Sequence, residues 1–103
     1  MEMVGPVTFD TPVLGPEMRL EPEWIDYNDH LNMAYYNVIF DRSADALIDI
    51  VGIGEAYRQA TNRSVMTAEV HVVYVRELLS DARVRVAMRL IDADEKRLHV
   101  YQE

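Results

Sequence analysis

The sequence predicts an α+β fold, with one long helix laid on an antiparallel sheet. Three observations predict it. Residues 32–51 carry apolar side chains at helical spacing. Residues 64–78, 82–91 and 97–103 alternate with the period of a strand. Turn-forming clusters, Ser80-Asp81-Ala82 and Asp92-Ala93-Asp94-Glu95-Lys96, separate those runs.

Taken in order, residues 1–16 hold three of the four prolines and two of the four glycines. They read as an irregular lead-in, with a short strand near Val7–Phe9. Residues 17–25 make a poor strand, which Pro22 confines to an edge or a bulge. In the helix, Tyr35, Ile39, Ala46, Leu47 and Ile50 form the apolar stripe. Val38, Ala44, Ile48 and Val51 widen it until the helix is expected to be buried by its neighbours. Gly52 is a normal C-terminal stop, and Gly54–Thr61 has the composition of one or two helical turns. In 64–78, Met66, Ala68, Val70, Val72 and Tyr74 share one face, and Thr67, Glu69, His71, Val73 and Val75 the other. In 82–91, Ala82, Val84, Val86, Met88 and Leu90 are expected on the helix, with Arg83, Arg85 and Arg89 facing solvent or a ligand. Residues 97–103 begin a third strand. The domain is therefore placed at residues 17–103.

A length of 103 residues implies one domain, and a hydrophobic fraction of 50% is enough for a small core. The absence of cysteine excludes disulfides, thiolate metal sites and cysteine nucleophiles. A net charge of −8 argues against duplex nucleic acid as a partner, because phosphate binding needs a basic face. No apolar run approaches a membrane span. Residues 1–16 lack the basic start and apolar run of a signal peptide, so a cytoplasmic location is expected.

The densest polar cluster, Asp26, Asn28, Asp29, His30 and Asn32, lies just ahead of the long helix. Asn28, Asp29 or Asn32 can cap that helix, but a cap accounts for only part of the cluster. An EF-hand reading fails: counted from Asp26, the sixth residue is Leu31 and the twelfth Asn37, where glycine and glutamate are needed. His30, His71 and His99 share no zinc spacing, and no metal is expected. An acid–base or nucleophilic site fits better. A helix N-terminus offers unpaired N–H groups and partial positive charge for an oxyanion. Asp26 stands where a carboxylate could attack a carbonyl or activate water.

The stretch Trp24-Ile-Asp-Tyr-Asn-Asp-His-Leu-Asn-Met-Ala-Tyr-Tyr-Asn-Val-Ile-Phe40 resembles the motif of hotdog-fold acyl-CoA thioesterases, in the 4-hydroxybenzoyl-CoA thioesterase-like branch. The matching positions are Asp26, Asp29-His30, Leu31, Asn32 and Tyr36. Residues 67–78 and 92–103 resemble the same family's meander strands and acidic turn. The resemblance implies a long helix wrapped by an antiparallel sheet, a homodimer joined edge to edge, and hydrolysis of a small acyl-CoA thioester. Asp26 takes the place of the family's nucleophile or general base. Amides of His30, Leu31, Asn32 and Met33 would polarise the thioester carbonyl, with His30 and Asn32 shaping the loop. CoA enters as part of the substrate, with no separate cofactor. Two departures stand out. Asp29 occupies a position usually held by glycine, where left-handed backbone is easier. A second carboxylate there is also expected to affect Asp26 or repel an anionic substrate. The family also carries further strand beyond this point, so the domain is expected to lack the last strand or strands.

The remaining candidates have two readings each. Glu69, with His71 beside it, is either an acid–base group from a neighbouring element or a polar pair at the sheet surface. Arg83, Arg85 and Arg89 either meet CoA phosphates or form a solvated face paired with acids such as Glu77. Trp24, Tyr27, Tyr35 and Tyr36 either line an acyl pocket, including a cage for a betaine- or carnitine-type acyl group, or pack in the core. The rival functions are a non-catalytic acyl-binding or dimerisation module, and a hotdog dehydratase or hydratase using His71 with Asp26.

Overall fold

The computed structural model describes residues 11–103. The strand expected near Val7–Phe9 lies outside them. Strands β1 (Val13–Leu14) and β2 (Met18–Arg19) lead into a single 3₁₀ turn, Pro22–Trp24. Helices α1 (Met33–Ile50) and α2 (Glu55–Thr61) follow, and β3 (Arg83–Val84), β4 (Ala87–Ala93) and β5 (Leu98–Gln102) complete the order. β4 pairs antiparallel with β1 on one side and with β5 on the other, while β2 pairs antiparallel with β3. Val13 faces Met88 and Met18 faces Val84. The register slips by one residue between those pairs, across Gly15 and Pro16, where proline has no N–H for a ladder. The paired Val13–Leu14 falls in the stretch expected to be irregular.

α1 lies on this sheet through a stripe at four-residue spacing: Tyr35, Ile39, Ser43 and Leu47. The core joins Leu20, Trp24, Leu31, Ile39, Val86 and Met88. At its tightest point the Gly15 backbone passes the helix. A Cβ at Gly15 would sit 3.2 Å from Ser43 Cβ and Oγ, so glycine there serves close approach rather than an unusual φ. Val84, Val86 and Met88 face inward as expected, and Arg83, Arg85 and Arg89 face outward.

Two expectations are corrected. α1 is covered on one face only: Ile39 and Ser43 are its buried residues, whereas Met33 and Ile50 are exposed. A sheet packed on one side cannot cover the extra apolar positions. Residues 64–78 form no strand ladder among the described residues, and Met66, Val70, Val73 and Val75 are exposed. Alternation reports which face suits burial. It does not supply a neighbour to bond with.

The β4–β5 turn is closed by Asp94. Its Oδ1 accepts from the Lys96 and Arg97 amides at 2.9 and 2.8 Å. Its Oδ2 accepts from Arg97 Nε at 2.8 Å and from a terminal guanidinium nitrogen at 2.6 Å. The Arg97 side chain, and after it the Lys96 amide, hold this carboxyl below the usual carboxylate value. A lowered folded pKa gives a stabilisation present at neutral pH and lost as pH falls through that lowered value. We expect Asp94 to titrate below the ordinary aspartate value by NMR, and Arg97→Ala to move its midpoint back up.

Candidate functional site

The site is built where the loop after the 3₁₀ turn folds back before entering α1. Ile25 and Leu31 form an isolated antiparallel bridge. Within it, the Asp26 amide donates to the His30 carbonyl at 2.9 Å and the Asp29 amide to the Asp26 carbonyl at 3.0 Å. Asp26 Oδ1 accepts from the Asn28 amide at 2.9 Å and from the His30 amide at 3.2 Å. This is an Asx-type turn, in which a short carboxylate replaces a backbone acceptor. One oxygen of Asp26 thus organises the loop, while Oδ2 makes no hydrogen bond among the described residues. The side chain is half-buried.

Asp29 has φ 61°, in the left-handed region. The loop therefore does need the backbone that glycine adopts freely, and aspartate is one of the residues that tolerates it. Asp29→Gly should keep both stability and site geometry. Asp29→Val should cost about 1–2 kcal/mol, read as a lowered urea midpoint.

Asn32 caps α1. Its side chain accepts from the Ala34 amide at 3.0 Å and its carbonyl from the Tyr35 amide at 3.0 Å. The amides upstream are also engaged: His30 to Asp26, Leu31 to the Leu78 carbonyl at 2.8 Å, and Asn32 to the Trp24 carbonyl at 2.9 Å. Of the N–H groups near His30 to Met33 expected to polarise a carbonyl, three are thus bonded within the protein. The chain needed three of them to fix the loop. Met33 alone in 30–34 has an amide without an acceptor among the described residues. Its position at the start of α1 also places it at the positive end of the helix dipole.

Contacts from residues 74–79 hold this loop, and no local pattern announced them. His30 Nε2 lies 3.4 Å from Glu77 Oε2, and His30 bridges Leu79. The Tyr36 hydroxyl donates to the Arg76 carbonyl at 3.3 Å, and the Tyr74 hydroxyl to the Met33 carbonyl at 3.2 Å. The two tyrosine rings meet edge to face, with centroids 5.1 Å apart. Leu31 is core. Glu77 thus faces His30 rather than the arginine stripe, and Arg83 pairs with Glu17 at 3.6 Å instead. Glu69 and His71 are exposed on residues 64–78 and form no hydrogen bond or ion pair with the loop among the described residues. Trp24 is buried, stacks on Tyr35 at 5.9 Å and carries the Arg42 guanidinium 4.9 Å from its ring centre. Its ring is occupied by the protein's own groups, while Tyr27 is almost wholly exposed.

Comparison with known proteins bears on the family and the fold. The thioesterase-like superfamily model matches residues 20–103. A betainyl-CoA thioesterase from Pseudomonas aeruginosa is 39% identical over 94 residues, covering 91% of this chain and 55% of its own. An L-carnitine dehydrogenase/betainyl-CoA thioesterase from Agrobacterium fabrum is 33% identical over 97 residues, covering 94% of this chain and 20% of its own. A Staphylococcus aureus protein solved in complex with CoA superposes with a TM-score of 0.82 at 27% identity, over 93% of this chain and 61% of that one. This chain thus spans little more than half the length of the Pseudomonas relative. The helix, the antiparallel sheet and the match over residues 20–103 together show that the chain belongs to the thioesterase-like superfamily, with the hotdog fold.

Proposed function

We propose that the protein hydrolyses a small acyl-CoA thioester at the loop spanning residues 26–33. One observation carries the proposal: among the described residues, a carboxylate has one oxygen fixed by two amides and the other unengaged, beside a helix start whose first amide is uncommitted. Asp26 Oδ2 attacks the thioester carbonyl, or takes a proton from a water that does so. The carbonyl oxygen gains the negative charge, and the Met33 amide donates to it. Collapse expels CoA as its thiolate. In the nucleophilic route, water then cleaves the resulting acyl–Asp26 anhydride. His30 and Asn32 shape the loop, and Tyr36 lines its rim.

The acyl group proposed first is betainyl, the substrate in the names of the Pseudomonas and Agrobacterium relatives. CoA is part of the substrate, and the proposal includes no further cofactor. Arg83 and Arg85, exposed on the outer face, are proposed to meet CoA phosphates, with Arg83 exchanging its 3.6 Å pair with Glu17 for them. A homodimer is proposed through residues 64–78, whose backbone finds no ladder among the described residues. The acid–base role of Glu69 rests on that assembly. Among the described residues no helix is long and apolar enough to cross a membrane, and the proposed compartment is the cytoplasm.

The test is release of free CoA thiol from betainyl-CoA and from uncharged acyl-CoAs of similar size. Turnover on at least one is expected. No turnover on any, from protein shown to be folded, would overturn the proposal in favour of an acyl-binding module.

A further inference from the structure

We infer that Tyr74 is a positioning residue for this site, acting on Met33 through its carbonyl, which lies across the Met33 Cα from the amide; the inference rests on the thioesterase reading above. Met33 is the residue whose amide is left for an oxyanion, so its orientation decides where that donor points. Its own carbonyl is gripped from outside the loop by the Tyr74 hydroxyl at 3.2 Å, across 41 residues of sequence. A reciprocal bond runs the other way, from the Tyr36 hydroxyl to the Arg76 carbonyl at 3.3 Å. Met33 and Tyr36 are three apart, hence on one face of the first turn of α1, and residues 74 and 76 meet that face together. The two rings lock edge to face between the bonds. The Leu31 amide, bonded to the Leu78 carbonyl at 2.8 Å, fixes the same segment to the loop just ahead of Met33. Among the described residues, 64–78 have no sheet ladder, and these contacts tie the segment to the helix start.

Tyr74→Phe tests this, because it keeps the ring against Tyr36 and removes only the hydroxyl. An oxyanion donor turned by a fraction of an ångström loses alignment with the transition state before it loses the substrate. We expect kcat for thioester hydrolysis to fall about tenfold while KM stays within about twofold. The Met33 amide resonance should shift and exchange faster with solvent. Tyr101→Phe, on the exposed face of β5, should change neither. Tyr74→Phe with wild-type kcat and an unmoved Met33 resonance would overturn the assignment, and so would a loss confined to KM. If the wild-type protein turns over no thioester, the thioesterase reading fails on that result. The Met33 resonance then still decides, on its own, whether the Tyr74 bond to the Met33 carbonyl orients the Met33 amide across the Cα.

Discussion

Asp26→Asn should reduce kcat for thioester hydrolysis by about 10²–10⁴-fold, the range in which a positioned acid–base group contributes. A nucleophilic Asp26 would place the loss at or beyond the upper end. The substitution is conservative in the structural sense. Asparagine keeps a carbonyl oxygen where Oδ1 accepts from Asn28 and His30, so the turn should close as before. What it loses is the anionic Oδ2. KM should therefore change little, because an interaction made only in the transition state has been removed. A variant with unchanged melting and near-normal kcat would remove Asp26 from the mechanism.

Trp24→Ala should have the largest effect on stability, about 3–5 kcal/mol as for other buried aromatics. Trp24 is buried in the core, stacks on Tyr35 and carries Arg42 over its ring. Its carbonyl also receives the Asn32 amide, so a cavity there loosens the residue that caps α1. Against the total of roughly 5–15 kcal/mol typical of a domain, such a loss should appear as a large drop in urea midpoint. A change under about 0.5 kcal/mol, the level of an ordinary surface substitution, would mean that Trp24 is not the centre of this core. Arg42→Ala should be much milder, since the Arg42 side chain is half exposed and its 3.0 Å pair with Glu21 is open to solvent.

The elements legible in the sequence were those whose signals are local. The spacing of Tyr35, Ile39 and Leu47 marked α1, Gly52 marked its end, and the alternation around Val84, Val86 and Met88 marked the inner face of the sheet. The cap at Asn32 was among the options, and the left-handed demand at Asp29 followed from the missing glycine. What was not legible depends on partners distant in the chain. Residues 64–78 have the alternation of a strand, yet no ladder forms among the described residues. The commitment of the Leu31 and Asn32 amides depends on Leu78 and Trp24 carbonyls, and no spacing rule links Tyr74 to Met33. The carboxylate proposed for the site lies in the motif, whereas the separation of the Met33 amide from the bonded amides of residues 30–32 needed coordinates.

The most direct test of the central claim, that residues 26–33 form the thioester site, is an amide NMR titration with a thioether analogue of betainyl-CoA that cannot be hydrolysed. The account predicts its largest shifts at the Met33 amide and along Asp26–Asn32. Shifts confined to elements away from that loop, with Met33 unmoved at saturation, would contradict it.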